Sequence, residues 1–277
     1  MKILVIGASG LLAKPVIKQL DKNGSQLRLF SRTVNQTMFD KPYEIVQGDV
    51  LNRNDLDKAM NGCDAVHISL SNLNEAVAVK TILDIAKNKE IKLISYISGC
   101  TVAEENRWFP MTENKYQAEQ SIIKSGIPYM IFRPSWFFET IELMVRDGKA
   151  TLLGKQPNKA HWIAADDFAR MVAAAYEKPD AKNKIFYIIG SEEYLMKDLL
   201  EEFCKHRYPE IKKVSTVPIG IIKMIAILTG NKELKSAASL FGYFEKVKER
   251  GNPDETNELL GKPTITFEKW MRVKTNL

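Results

Sequence analysis

Apolar positions in the first two-thirds of the chain alternate between short continuous runs and runs with helical spacing. Residues 3–6 (Ile-Leu-Val-Ile), 27–30, 43–46, 65–68, 93–97 and 129–132 read as strands. Continuous apolar runs of that length suit strands covered on both faces. Between them, residues 11–20, 54–60, 76–87 and 115–124 carry one apolar face at helical spacing. Such β–α repetition predicts a doubly wound, parallel Rossmann-type α/β sheet with helices on both sides. From about residue 139 the pattern loosens. A helix over 167–176 and a strand over 185–189 remain legible, and mostly helical segments follow. The expected organisation is a core over residues 1–190 and a small, mostly helical C-terminal lobe over 191–277, packed on the core and not independent.

Composition changes this picture little. The 277 residues are 45% hydrophobic and 27% charged, ordinary for a globular protein. The formal charge of +6 comes from 40 basic and 34 acidic residues. They are largely interspersed, without the basic run or basic–aromatic stripe of a nucleic-acid binder. Cys63, Cys100 and Cys204 lie far apart and form no disulfide framework or metal-ligand spacing. The N-terminal apolar run is too short for a signal peptide, and residues 217–228 are interrupted by Lys223. These features predict a soluble, cytoplasmic protein without a membrane partner.

The candidate chemistry starts at Gly7-Ala8-Ser9-Gly10-Leu11-Leu12-Ala13, directly after the first strand and opening the first helix. A pyrophosphate needs close backbone, N–H groups aimed at it and the positive end of a helix dipole. Gly7 suits the tight turn and Gly10 the close approach, while Ala13 is the small residue wanted for helix–strand packing. An ordinary glycine-rich turn is the alternative, and the strand–turn–helix context favours the dinucleotide. The second strand ends Leu29-Phe30-Ser31-Arg32-Thr33. A carboxylate there would hold adenosine ribose hydroxyls, whereas arginine accommodates a 2′-phosphate. Arg32 and the hydroxyls of Ser31 and Thr33 therefore favour NADP(H) over NAD(H).

With these motifs the sequence resembles the short-chain dehydrogenase/reductase superfamily, in its atypical branch of NmrA-like NAD(P)-binding proteins. The resemblance runs over about residues 1–190. It rests on the glycine turn, Gln47-Gly48-Asp49-Val50, Ile97-Ser98-Gly99, Lys115-Tyr116-Gln117-Ala118-Glu119, Arg133-Pro134-Ser135-Trp136-Phe137 and Asp167-Phe168-Ala169. It implies cofactor contacts from Gly7, Ser9, Gly10, Leu11, Leu12, Asp49, Val50, Ser98, Lys115 and Pro134. It also implies a Y-x-x-x-K pair, in which tyrosine moves the proton and lysine lowers its pKa. With the lysine at Lys115, the tyrosine position holds Met111, and a thioether is no general acid or base. Lys115 is a candidate catalytic residue. Tyr116 is a weaker one, because one helical step turns a side chain by about a quarter-circle.

His67, His161 and His206 share no metal-ligand spacing with acids or cysteines. His67 reads as a packed strand residue and His161 as a residue that could line a substrate pocket. Asp166 or Asp167 reads as a helix N-cap. Trp108, Phe109, Trp136, Phe137 and Phe138 read either as a wall facing the nicotinamide or as cover for the lobe. A helix over residues 219–228, apolar almost all round, is expected to be buried against the sheet or a partner subunit, which leaves room for a homodimer. Two functions stay open: an NADP(H)-dependent oxidoreductase for a small carbonyl, quinone or similar acceptor, and a non-catalytic NADP(H)-binding redox sensor or regulatory protein.

Overall fold

The computed structural model describes residues 1–71 and 74–275, with side chains to residue 272. It divides into two compact units. The first holds Met1–Pro134, Ala165–Ile188 and Gly251–Lys262, and the second holds Ser135–Ala164, Ile189–Arg250 and Pro263–Leu277. The chain thus passes between units near the expected boundary at 190 but also at four other places. Both the core and the lobe are discontinuous in sequence.

The first unit is built on seven parallel strands: β1 (Lys2–Ile6), β2 (Gln26–Ser31), β3 (Glu44–Gln47), β4 (Ala65–Ile68), β5 (Leu93–Ile97), β6 (Tyr129–Pro134) and β7 (Lys184–Ile188). Their order is β7-β6-β5-β4-β1-β2-β3. β1 is central, with Val5 in register with Leu29 on one side and His67 on the other. Every residue from Ile3 to Ile6 is buried, which explains the continuous apolar run. Alternate side chains face opposite sides of the sheet. Leu4, Ile6, Val66, Ile68, Ile94 and Tyr96 share one core with α2 (Arg53–Met60), α3 (Glu75–Asn88) and α4 (Pro110–Lys124). α1 (Ala13–Lys22) and α5 (Ala165–Tyr176) pack against each other.

His67, on the strand face opposite to that core, is the packed residue expected. Its Nδ1 lies 2.7 Å from Ser95 Oγ, which in turn meets Tyr176 Oη of α5. Burial pushes the imidazole pKa down to about 4. α5 starts at Ala165, so Asp166 and Asp167 lie in its first turn and not at the cap. α4 starts five residues before the expected 115, with Pro110 in its first turn. That polar first turn hid the start, and Met111 consequently sits one turn below Lys115 on the same helical face.

Residues 191–277 are mostly helical, as expected, but the second unit also takes in residues 135–164, which bring strands with them. Besides α6 (Met196–Arg207), α7 (Ile219–Thr229) and α8 (Lys232–Phe244), it contains two three-stranded sheets. One pairs Lys159–Ile163 with Glu192–Leu195 and Trp136–Phe137, and the other pairs Lys149–Leu153 with Val214–Val217 and Val145–Arg146. Phe138, Trp162, Phe203 and Trp270 build its core. Trp136 stacks on Trp162 with ring centroids 5.5 Å apart. Of the burial expected for α7, against the sheet or a partner subunit, the chain itself supplies only part. Ile222 and Ala226 are buried, but Ile221, Met224, Ile225, Ile227 and Leu228 are exposed. Among the described residues no helix is long and apolar enough to cross a membrane.

Candidate functional site

The strand order reverses between β1 and β4, and in open α/β sheets ligands sit beyond the carboxyl ends at such a switch point. A cleft of about 420 Å³ lies there. Gly7, Ser9, Gly10, Ser31, Arg32, Asp49 and Val50, all singled out in the sequence, line it together. So do Thr33, whose hydroxyl the sequence also pointed to, and Ser69, Ser71 and Asn74, which sequence reasoning missed. The only signal of these last three was position, just past the end of β4.

The turn after β1 fits an anion. Gly7 adopts φ +82°, and a Cβ there would stand 2.0 Å from the carbonyl oxygen of Ser69. Gly7 and Ala8 both donate to Phe30 O (2.9 and 3.2 Å), and Gly10 N donates to Gly7 O at 2.9 Å. The N–H groups of Ser9, Leu11 and Leu12 find no acceptor among the described residues. Leu12 caps α1 without a side-chain bond, so the positive end of that helix is open. Leu11 and Leu12 lie beside the cleft lining and offer backbone only, Leu11 with its side chain exposed.

At the end of β2, three hydroxyls cluster. Ser31 Oγ and Thr33 Oγ1 each lie 3.0 Å from Ser9 Oγ, and Val34 N donates to Ser31 Oγ at 2.9 Å. Arg32 is exposed beside them and has no ion pair among the described residues. Across the cleft Asp49 is held by its own turn, with Leu51 N donating to Oδ1 at 2.9 Å and Asp49 N donating to Asp55 Oδ2 at 3.0 Å.

The remaining candidates lie off this lining. Lys115 Nζ donates to Glu75 Oε1 (3.1 Å), Ile97 O (3.1 Å) and Leu70 O (3.4 Å), and lies 5.3 Å from the Tyr96 ring centroid. It reaches the cleft only through Leu70, which is part of the wall. Glu75 is fully buried and also accepts from Tyr96 Oη at 2.8 Å, while its Oε2 has no partner. Burial raises the Glu75 pKa, and Lys115 and Tyr96 pull it part of the way back. Ser98 Oγ donates to Glu119, which also accepts from Arg133 Nε at 3.0 Å. Arg133 in turn donates to Tyr187 Oη at 2.5 Å. Pro134 is buried, and its carbonyl accepts from Cys100 N at 3.0 Å. The motif residues Ser98, Glu119 and Arg133 are therefore one buried network. Carboxylates on the core face of a helix were its signal in the sequence.

Tyr116 turns away from this network. Its hydroxyl bonds Glu104, which raises its pKa, and its ring lies 4.7 Å from the Arg107 guanidinium carbon. Tyr116→Phe is accordingly expected to change any turnover less than about threefold, against the hundredfold or more expected for losing a general acid. Steady-state kinetics on the two proteins decides it. Of the other candidates, His161 Nδ1 bonds Glu249 at 3.0 Å within the second unit. Phe109 is buried beside the exposed Trp108 in the first unit, and Trp136, Phe137 and Phe138 belong to the second. Among the described residues no group of three or more His, Cys, Asp or Glu could hold a metal.

Comparison with known proteins agrees with the geometry. A family model described as NAD(P)H-binding matches residues 7–179. Photosystem II assembly factor Ycf39 of Trieres chinensis is 22% identical over 260 residues, covering 88% of this chain and 77% of its own. The Citrobacter sp. triphenylmethane reductase, solved with NADP(H), superposes with a TM-score of 0.78 at 19% identity over the full length of both chains. An NADPH-dependent quinone oxidoreductase of Escherichia coli, solved with NADPH, superposes at 0.75 and 19%, again over both full lengths. The motif at Gly7, the cleft at the switch point and the matched residues agree: the chain belongs to the NAD(P)H-binding family.

Proposed function

We propose that the protein is an NADPH-dependent oxidoreductase that reduces a small acceptor of quinone or carbonyl type without a tyrosine acid. The carrying observation is the cradle of Ser9, Ser31 and Thr33 hydroxyls with the exposed Arg32 guanidinium at the end of β2. This combination suits a 2′-phosphate and lacks the carboxylate that would repel one. The N–H groups of Ser9, Leu11 and Leu12 and the open end of α1 would hold the pyrophosphate, and Asp49 and Val50 would flank the adenine. NADPH supplies a hydride when bound. Ser98, Lys115 and Pro134 would brace the nicotinamide end, with Lys115 oriented by Glu75. Met111 moves no proton, so the acceptor must take its proton from water, which suits quinone-like acceptors better than simple ketones.

Arg32→Ala is expected to weaken NADPH binding ten- to a hundredfold, about 1.5–3 kcal/mol for a charge-assisted contact, and to leave NADH nearly unchanged. Calorimetric titration of both cofactors checks it, and equal affinities in both proteins would refute the preference. Activity itself is tested by NADPH oxidation against quinones, enones and aldehydes. Met111 also favours a second reading, a protein that binds NADP(H) to sense redox state or to assist assembly. Tight NADPH binding with no turnover on any acceptor would decide for that reading. A place in the NmrA-like branch and a cytoplasmic location are part of the same proposal.

A further inference from the structure

A second cavity, of about 490 Å³, lies wholly inside the second unit and has no part in the cofactor cleft. Its volume falls within the range of small-molecule sites, about 300–1,000 Å³. Its walls are Trp136, Leu143, Leu234, Leu240 and Phe241, so the interior is mainly apolar. Lys149, Thr151 and Leu153 face it from alternate positions of one strand, while Ala150 and Leu152 turn to the core.

The charges on its lining are uneven. Arg146 and Lys149 both line it, and they are direct partners across the hairpin of Val145–Arg146 with Lys149–Leu153. Like charges placed opposite each other repel. Neither side chain has an ion pair or hydrogen-bond partner among the described residues. Glu233 is the single carboxylate on the lining, and Asp147 lies in the hairpin turn outside it. Arg146, Lys149, Leu143 and Glu233 are exposed, so the cavity is open to solvent where the charges stand, and two neighbouring cations against one acid beside an apolar lining suit an apolar body with an anionic head.

We infer that the second unit binds a small amphipathic monoanion, an apolar carboxylate by class, with its body between α8 and the Lys149–Leu153 strand and its head between Arg146 and Lys149. This goes beyond the redox reading and does not depend on it.

The test uses the full chain and 8-anilinonaphthalene-1-sulfonate as the fluorescent probe, titrated with and without decanoate or decanol. Saturable binding of one probe per chain is expected, displaced by decanoate at least tenfold better than by decanol. Arg146→Gln with Lys149→Gln should remove that preference, and Leu240→Trp should remove probe binding by filling the chamber. NADPH affinity, measured on each variant, should stay unchanged and reports that the chain is folded. Equal displacement by acid and alcohol, an undiminished preference in the double variant, or no saturable binding overturns the inference. The competition on the unaltered protein needs no variant, and NADPH binding can fail without touching this result.

Discussion

Lys115→Met should destabilise the protein by about 3–5 kcal/mol at neutral pH, the range for stripping one partner from a buried ion pair. Glu75 is fully buried and its partner's side chain only 12% exposed, so water cannot take the place of the lost ammonium. The loss should depend on pH in a defined direction. The Glu75 pKa is raised in the folded state above its ordinary 4.5, chiefly by burial. A group shifted that way contributes stability that is fully present below its unfolded pKa and lost as pH rises through its folded one. Removing Lys115 takes away the charge that held the shift down, so the loss extends further into the neutral range. Denaturant unfolding should show the deficit of the variant largest near pH 8 and shrinking towards pH 5. Glu75→Gln in the same chain should recover most of it, because a neutral amide still accepts from Tyr96. A flat pH dependence, or no rescue by glutamine, would show that the pair is not coupled. NADPH titration of the double variant then reports what Lys115 contributes to the cofactor apart from bracing Glu75.

The second large effect is expected at Gly7→Ala. The substitution adds one methyl group, but at φ +82° and 2.0 Å from Ser69 O it has no room. Holding alanine in that conformation costs about 1–3 kcal/mol, and relief of the contact must shift the turn away from the end of β4. NADPH affinity should fall about a hundredfold or more, with a lower thermal midpoint. Gly10→Ala is the control. Its Cβ would lie 3.2 Å from Gly7 O, where a shift of a few tenths of an ångström suffices. The comparison is one of thermal midpoints, since Gly10 also admits the pyrophosphate, and equal losses of midpoint at the two positions would contradict the geometry.

The parallel sheet was readable because the strands from β1 to β6 are short and largely apolar, with helices of clear spacing in every connection except that from β2 to β3, which holds only the turn Gln36–Met38. A shared crossover hand narrows the strand orders such alternation allows. The half of the cleft around Gly7, Ser31 and Asp49 was legible for the same reason, since each residue follows directly on a strand. Glu75, Ser69 and Asn74 were not, because no local pattern distinguishes a buried carboxylate or a cleft-lining hydroxyl or amide from a solvated one. The strands of the second unit escaped because pieces such as Trp136–Phe137 and Val145–Arg146 are two residues long, too short to show alternation. Met224 and Leu228 are exposed in the chain alone, because the hydrophobic pattern predicts burial without saying whether against the sheet or a partner.

The helix Asp254–Leu260 belongs to the first unit, where the carbonyls of Leu260 and Lys262 accept from the Arg170 guanidinium. In a chain made from its N-terminus, this ordering has a temporal meaning. Six strands are available after Pro134, yet the last segment of the same unit ends at Lys262, 128 residues later. At about 5–20 residues per second, the ribosome delivers it roughly 6–26 seconds after the sixth strand. Over the first 54 of those residues the nascent sheet lacks β7 and its β6 edge is unpaired, and from Ile188 to Lys262 α5 still waits for its brace. The sheet edge is thus open only until Ile188 is made, whereas the contacts that hold Arg170 come last.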